Sequence, residues 1–120
     1  VPQTVKAISG YRKFGKEREE AEDILNDAVA LEEAGCFAIV AEMVEERLAG
    51  ELSKSLEVPI IGIGSGGGCD GQILVSSDLL GLTQGQVPSF VKPQADLADA
   101  MTQAFRGYVD DVRSGRYPGK

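Results

Sequence analysis

The sequence predicts an α/β fold in which parallel strands are joined by helical crossovers. Two short apolar runs, residues 36–41 and 59–63, have the uninterrupted Ile, Val and Phe character of strands covered on both faces. Each is followed or preceded by a stretch with apolar residues at three-and-four spacing. A helix between two strands returns the chain to the end where it began, so the strands can pair only in parallel. The 120 residues, 42% of them hydrophobic, are enough for one core, and residues 1–120 are expected to form a single segment.

The elements follow in order. Ala21, Ile24, Leu25, Ala28, Leu31 and Ala34 share one face of a helix over residues 17–34, and Gly35 is its stop. Residues 36–41 form the first strand. A second helix begins near Glu45, with Leu48, Ala49, Leu52 and Leu56 on one side and acids in its first turn, where the helix dipole favours them. Residues 59–63 form the second strand, and a glycine-rich loop covers residues 64–71. The apolar run 72–75 is too short to assign. A helical turn is expected over 78–82 and a third, short strand over 90–92. The last helix, residues 94–113, has the clearest pattern: Leu97, Ala98, Met101, Phe105, Tyr108, Val109 and Val112 lie on one side.

Two architectures satisfy this alternation. A doubly wound open sheet closes within this length, whereas a (β/α)8 barrel takes about 250 residues and would be only half present. The net charge of -7, with 12 Lys and Arg scattered along the chain, argues against a nucleic-acid partner, which requires basic residues concentrated on one surface. Cys36 and Cys69 show neither disulfide-framework density nor zinc-ligand spacing and read as reduced thiols of a cytoplasmic protein. No apolar run approaches the roughly 20 residues of a membrane span, and no signal-peptide pattern opens the chain. The chain begins at Val1 in place of Met, so an upstream portion is expected to have been removed.

In either architecture the loops after the strands build the functional rim. Glu42, just past the first strand, and the loop 64–71, just past the second, are therefore expected at one cleft. Two readings of Glu42 compete. It is either a solvated first-turn acid of the next helix, or a carboxylate held in a partly apolar mouth beside Ile39, Val40 and Met43, suited to accepting a proton near neutral pH. Glu45 and Glu46 already serve the helix start, which makes Glu42 redundant there. The glycines of "IGIGSGGGCDG" allow positive φ and close approach of backbone to a ligand, so Gly64, Ser65 and Gly66 are candidates for substrate contact; the plainer reading is a flexible surface loop. The stretch is not a Walker loop, since no Lys-Ser or Lys-Thr follows, and it does not fit the dinucleotide fingerprint. Asp70 and Asp78 stand near the same rim without ligand-type spacing and read as loop caps before metal ligands.

Five blocks, "VPQTVKAISGYRKFGK", "ALEEAGCFAIVAEMV", "VPIIGIGSGGGCDGQILV", "DLLGLT" and "YVDDVRSGRYPG", occur in an order that resembles the C-terminal half of the 3-methyl-2-oxobutanoate hydroxymethyltransferase (ketopantoate hydroxymethyltransferase) family. The resemblance spans nearly the whole chain and implies the second half of a (β/α)8 TIM barrel of the phosphoenolpyruvate/pyruvate type. It also implies a homo-oligomer that transfers a one-carbon unit from 5,10-methylenetetrahydrofolate to 3-methyl-2-oxobutanoate, giving ketopantoate for pantothenate biosynthesis. The family's general base is the glutamate of a "VLEMVP"-like strand end, and the matching residue is Glu42. A 2-oxo acid bound to Mg2+ becomes acidic at C3, and a nearby carboxylate can remove that proton. The Mg2+ ligands implied by the resemblance lie upstream of the position matching Val1, so no metal ligand is assigned in this segment and the isolated chain is expected to be inactive. The chain departs from the family pattern at Ala41 for Leu, at Glu45 for a helix-starting Pro, and at Ser77 for a His. Ser77 can hydrogen-bond in that place but cannot shuttle a proton near pH 7. Two further readings stand beside this one. The first is a non-catalytic half-barrel that self-associates through open strand edges. The second is another carbon–carbon bond enzyme of the isocitrate-lyase-like superfamily, disfavoured because the nucleophilic-cysteine motif of such lyases is not seen.

Overall fold

The chain divides into two compact units, Val1–Ile73 and Leu74–Lys120. The computed structural model describes residues 11–119. The first unit runs α1 (Arg18–Glu33), β1 (Ile39–Glu42), α2 (Glu46–Ser55), β2 (Ile60–Ile63) and β3 (Gly71–Gln72), and the second contains α3 (Ser76–Leu79) and α4 (Leu97–Arg113). The strands form one sheet in the order β1-β2-β3, and every pairing is parallel. The α/β class with parallel strands therefore holds.

The first unit is built by α1 and α2 covering one face of this sheet. Side chains alternate along a strand, so β1 and β2, registered Ile39 to Ile60 and Ala41 to Gly62, present one set of residues to the helices. Ala41 and Ile60 on that face pack with Leu48, Ala49 and Leu52 of α2 and Ala28 of α1, while Ala21, Ile24 and Ile39 border the cluster. Ile60 is fully buried and Leu52 retains 2% of its exposure. Burying each such side chain contributes about 1.5–3 kcal/mol.

Several elements differ from expectation, each for a physical reason. The strand expected over 36–41 begins only at Ile39, whose N–H donates to the Pro59 carbonyl at 3.0 Å. Cys36 belongs to the end of α1: Gly35 turns with φ +88, and the Cys36 N–H closes back on the Leu31 carbonyl at 3.2 Å. Phe37 is then left 91% exposed in the connection. Coverage on both faces also fails for β1, because Val40, pointing away from the helices, is 56% exposed. The run 72–75 contributes only its first residue to β3; Gly71 precedes it, and a Cβ there would meet Ile61 Cδ1 at 3.0 Å.

In the second unit, residues 90–92 are no strand. Pro88 and Pro93 bracket a turn closed by the Val91 N–H on the Pro88 carbonyl at 3.0 Å, and a proline lacks the N–H that a ladder needs. The expected turn over 78–82 becomes α3, which starts at Ser76. Helix α4 begins at Leu97 and not at residue 94, since Asp96 caps it by accepting the Asp99 N–H at 3.2 Å, and the Gln94 N–H donates elsewhere, to Leu79.

Candidate active site

Glu42 is the last residue of β1, paired in register with Ile63, and is half-buried. The chain turns sharply after it. Met43 has φ +54, the left-handed region that side-chain-bearing residues seldom occupy and that costs about 1–3 kcal/mol when surrounding structure enforces it. The enforcement is visible on both sides of the residue. The Met43 N–H donates to the Ile63 carbonyl at 2.9 Å, the Met43 carbonyl accepts from the Phe14 N–H at 2.8 Å, and the side chain is buried. Phe14 forms a parallel bridge with Val44, completed by the Glu45 N–H donating to the Phe14 carbonyl at 2.7 Å. The turn ends the strand and leaves the Glu42 side chain at its tip.

The neighbouring acids have other work. Glu45 caps α2, its Oε2 accepting the Leu48 N–H at 3.1 Å. The backbone amides of Arg47 and then Leu48 hold its carboxyl below the usual value. Glu46 accepts the Gly67 N–H at 3.3 Å. Among the described residues nothing donates to the Glu42 carboxylate, so the expectation that capping does not need Glu42 agrees with the geometry.

The glycine loop packs against the start of α2. Gly64 and Gly66 take φ +65 and +83, and a Cβ on Gly66 would run into the Glu46 side chain. Gly68 packs so close to Gly50 that its Cβ would lie 3.1 Å from the Gly50 Cα, and Gln72 Nε2 donates to the Gly66 carbonyl at 2.9 Å. The loop therefore folds back over the start of α2. A cavity of about 490 Å3 is lined by Ile39, Val40, Ala41 and Glu42 of β1 with Ile24 and Leu31 of α1, and none of residues 64–71 lines it. The cavity rim also carries Glu20, Asp23 and Asp27, an acidic lining that favours cationic or neutral groups over an anion.

Ser65 is the point where the loop meets the Glu42 strand end. It has no exposed surface; its hydroxyl donates to the Ala41 carbonyl at 2.7 Å and accepts the Val44 N–H at 2.9 Å. Nothing in the sequence signals this bridge, since a serine among glycines reads as loop, and nothing signals the left-handed Met43. Asp70 accepts from the Ser53 hydroxyl at 2.6 Å and the Ile60 N–H at 2.9 Å, which ties α2 to β2, and Asp78 accepts from the Thr83 hydroxyl. Asp70 is thus a tie between two elements, and Asp78 a local contact within five residues. Burial, and the Asp70 charge after it, push the Cys69 thiol up, away from the reactive thiolate. Among the described residues no three His, Cys, Asp or Glu side chains are grouped so as to hold a metal ion, and no helix is long and apolar enough to cross a membrane.

A parallel α/β sheet with a carboxylate free of capping duty at a strand's C-terminal end has the layout of α/β enzymes that place their chemistry on that rim. Comparison with known proteins makes the class specific. The family model described as ketopantoate hydroxymethyltransferase matches residues 1–120, and the chain belongs to that family. Proteins named 3-methyl-2-oxobutanoate hydroxymethyltransferase are similar to it over almost its full length. The one from Enterococcus faecalis is 46% identical over 98% of this chain and 43% of its own length. That from Phocaeicola vulgatus is 47% identical over 100% of this chain and 44% of its own. That from Wolinella succinogenes is 49% identical over 99% of this chain and 45% of its own. The chain thus spans less than half the length of these curated relatives.

Proposed function

We propose that this chain supplies the C-terminal half of a (β/α)8 barrel of the phosphoenolpyruvate/pyruvate type, with Glu42 as the proton acceptor of a hydroxymethyl transfer. The substrates are 3-methyl-2-oxobutanoate and 5,10-methylenetetrahydrofolate, the product is ketopantoate, and the protein acts in the cytoplasm as a homo-oligomer on the route to pantothenate. The single observation that carries the reading is the state of Glu42: it ends β1, lines the cavity, and is the one acid of its stretch not drawn into the start of α2.

Glu42 would take the proton from C3 of the 2-oxo acid, the carbanion electrons would form the new C–C bond to the folate's methylene carbon, and the methylene C–N bonds would break as water supplies the hydroxyl and tetrahydrofolate leaves. Among the described residues no three His, Cys, Asp or Glu side chains come together as a Mg2+ site would require. We assign its ligands, and the positive counter-charge an anionic keto acid needs beside Glu20, Asp23 and Asp27, to the part of the relatives' length that this chain does not span. Gly64 and Gly66 stay as candidate substrate contacts; Ser65, with its hydroxyl committed to Ala41 and Val44, takes another role.

The test is C3 proton exchange of 3-methyl-2-oxobutanoate into deuterated water by the complete barrel carrying this segment. Glu42→Gln keeps shape and hydrogen-bonding capacity but cannot accept a proton. It should slow exchange by roughly 100- to 10,000-fold, the contribution of a positioned general base, with keto-acid binding nearly unchanged. Exchange within a few-fold of the parent would return Glu42 to the role of a helix-start acid.

A further inference from the structure

The hydroxyl of Ser65 is placed where it can control the direction of the Glu42 side chain. In an ordinary four-residue turn the first carbonyl closes directly on the fourth N–H, and a third residue at positive φ is usually Gly or Asn. Between β1 and α2 the corresponding groups are the Ala41 carbonyl and the Val44 N–H. Ser65 is interposed between them, donating to the first at 2.7 Å and accepting from the second at 2.9 Å. The Ile63 carbonyl lies farther away, at 3.4 Å, so the single hydroxyl proton belongs to Ala41. The two residues bracketed by this bridge are Glu42 and Met43, and Met43 sits at φ +54.

We propose that Ser65 is a positioning residue for Glu42: its buried hydroxyl fixes the span from Ala41 to Val44, holds Met43 in the left-handed conformation, and so aims the carboxylate out of the strand end. This rests on the reading of Glu42 as the proton acceptor. The geometry distinguishes Ser65 from an ordinary satisfied core hydroxyl. Its two short bonds go to the residues that flank the candidate base and its successor, and they arrive from the loop after the neighbouring strand. A glycine loop that looked like a ligand cradle thereby becomes the support of an adjacent strand end. Loss of the hydroxyl leaves the Val44 N–H buried and unpaired and removes one donor from the Ala41 carbonyl, so the turn around Met43 loses one of the bonds that hold it.

The experiment is a double-variant cycle on the same deuterium exchange in the complete barrel: parent, Ser65→Ala, Glu42→Gln, and both together. Ser65→Ala should lower the exchange kcat by roughly 10- to 100-fold, the effect of misplacing a reacting group by about 1 Å, with KM for the keto acid little changed. Added to Glu42→Gln it should slow exchange no further, because Ser65 acts only through the carboxylate. Should Ser65→Ala fail to fold, Ser65→Cys, with a weaker donor and acceptor on the same stem, takes its place in the cycle. Glu42→Gln slowed with Ser65→Ala at the parent rate overturns the proposal and leaves Glu42 as the base. Additive losses overturn it as well, since they place Ser65 on an independent path. Glu42→Gln at the parent rate overturns the underlying reading, and the proposal with it.

Discussion

Helices α2 and α4 are both amphipathic, and the two units put them to opposite use. In α2, Leu48, Ala49 and Leu52 are buried against the sheet that the same unit provides. Helix α4 is seven residues longer, 17 against 10, yet buries none of its side chains. Phe105 is 64% exposed and Met101 48%, and Leu97, Tyr108, Val109 and Val112 are exposed with them. Periodicity decides that a helix forms and which face is apolar; it does not supply the surface that covers that face. For α2 the cover is β2, one connection away in sequence. For α4 the remainder of its unit offers only the four-residue α3 and irregular chain.

The largest expected effect separates the two helices by stability. Leu52→Ala should destabilise the 120-residue chain by about 2–5 kcal/mol, through lost transfer energy and the cavity left in the core. Phe105→Ala, at a protein concentration low enough to keep the chain dissociated, should cost within about 0.5 kcal/mol, as for a surface substitution. Urea unfolding of both variants checks this. Equal costs would break the comparison and show that the α4 face is covered within the dissociated chain.

A smaller effect concerns what covers α4. With that face and, among the described residues, the β1 edge uncovered, light scattering of the purified chain should show a dimer or larger assembly. Phe105→Glu should weaken that association by roughly 10- to 100-fold, the equivalent of about 1.5–3 kcal/mol for one large apolar side chain. A monomer with a sharp melting transition would defeat the expectation.

The same contrast explains how much was legible beforehand. Helices α1, α2 and α4 and strands β1 and β2 were readable because their apolar spacing is local information. Their ends were read less well where one hydrogen bond decides them: the Cys36 N–H turning back to Leu31, or Asp96 capping α4. The stretch 90–92 has strand composition and is a turn, because the prolines on either side of it outweigh the propensity of Phe and Val. Glu42 was found as a residue, since an acid after an apolar run with two further acids behind it is visible in one dimension. The Ser65 bridge was not: it depends on atoms from residues more than twenty positions apart coming within 3 Å, and glycine-rich sequence specifies conformational freedom without specifying its use.

The smallest expected effect is the pH dependence of the first unit, read at Asp70. Its carboxyl is held below the usual value first by the Ser53 hydroxyl and then by the Ile60 N–H. A carboxylate whose pKa is lower in the folded than in the unfolded chain stabilises the fold fully above the unfolded value of about 3.9, and the contribution is lost as pH falls through the folded value. Glu20, held down by Arg12 and the Gly15 amide, and Glu45, held down at the start of α2, act in the same direction. Asp70→Asn keeps the shape and can still accept the Ile60 N–H, but has no charge to titrate. It should therefore be less stable than the parent at pH 7, and the gap should narrow below about pH 4 and close as pH falls through the folded value and the parent's own Asp70 becomes protonated. Ser53→Ala should raise the Asp70 pKa toward the usual carboxylate range, read from its carboxyl carbon by NMR titration. The α4 substitution Phe105→Ala should show no such convergence, its effect being the same at pH 7 and pH 2. If the Asp70→Asn gap persists undiminished at pH 2, the tie between α2 and β2 depends on packing around the side chain and not on its charge.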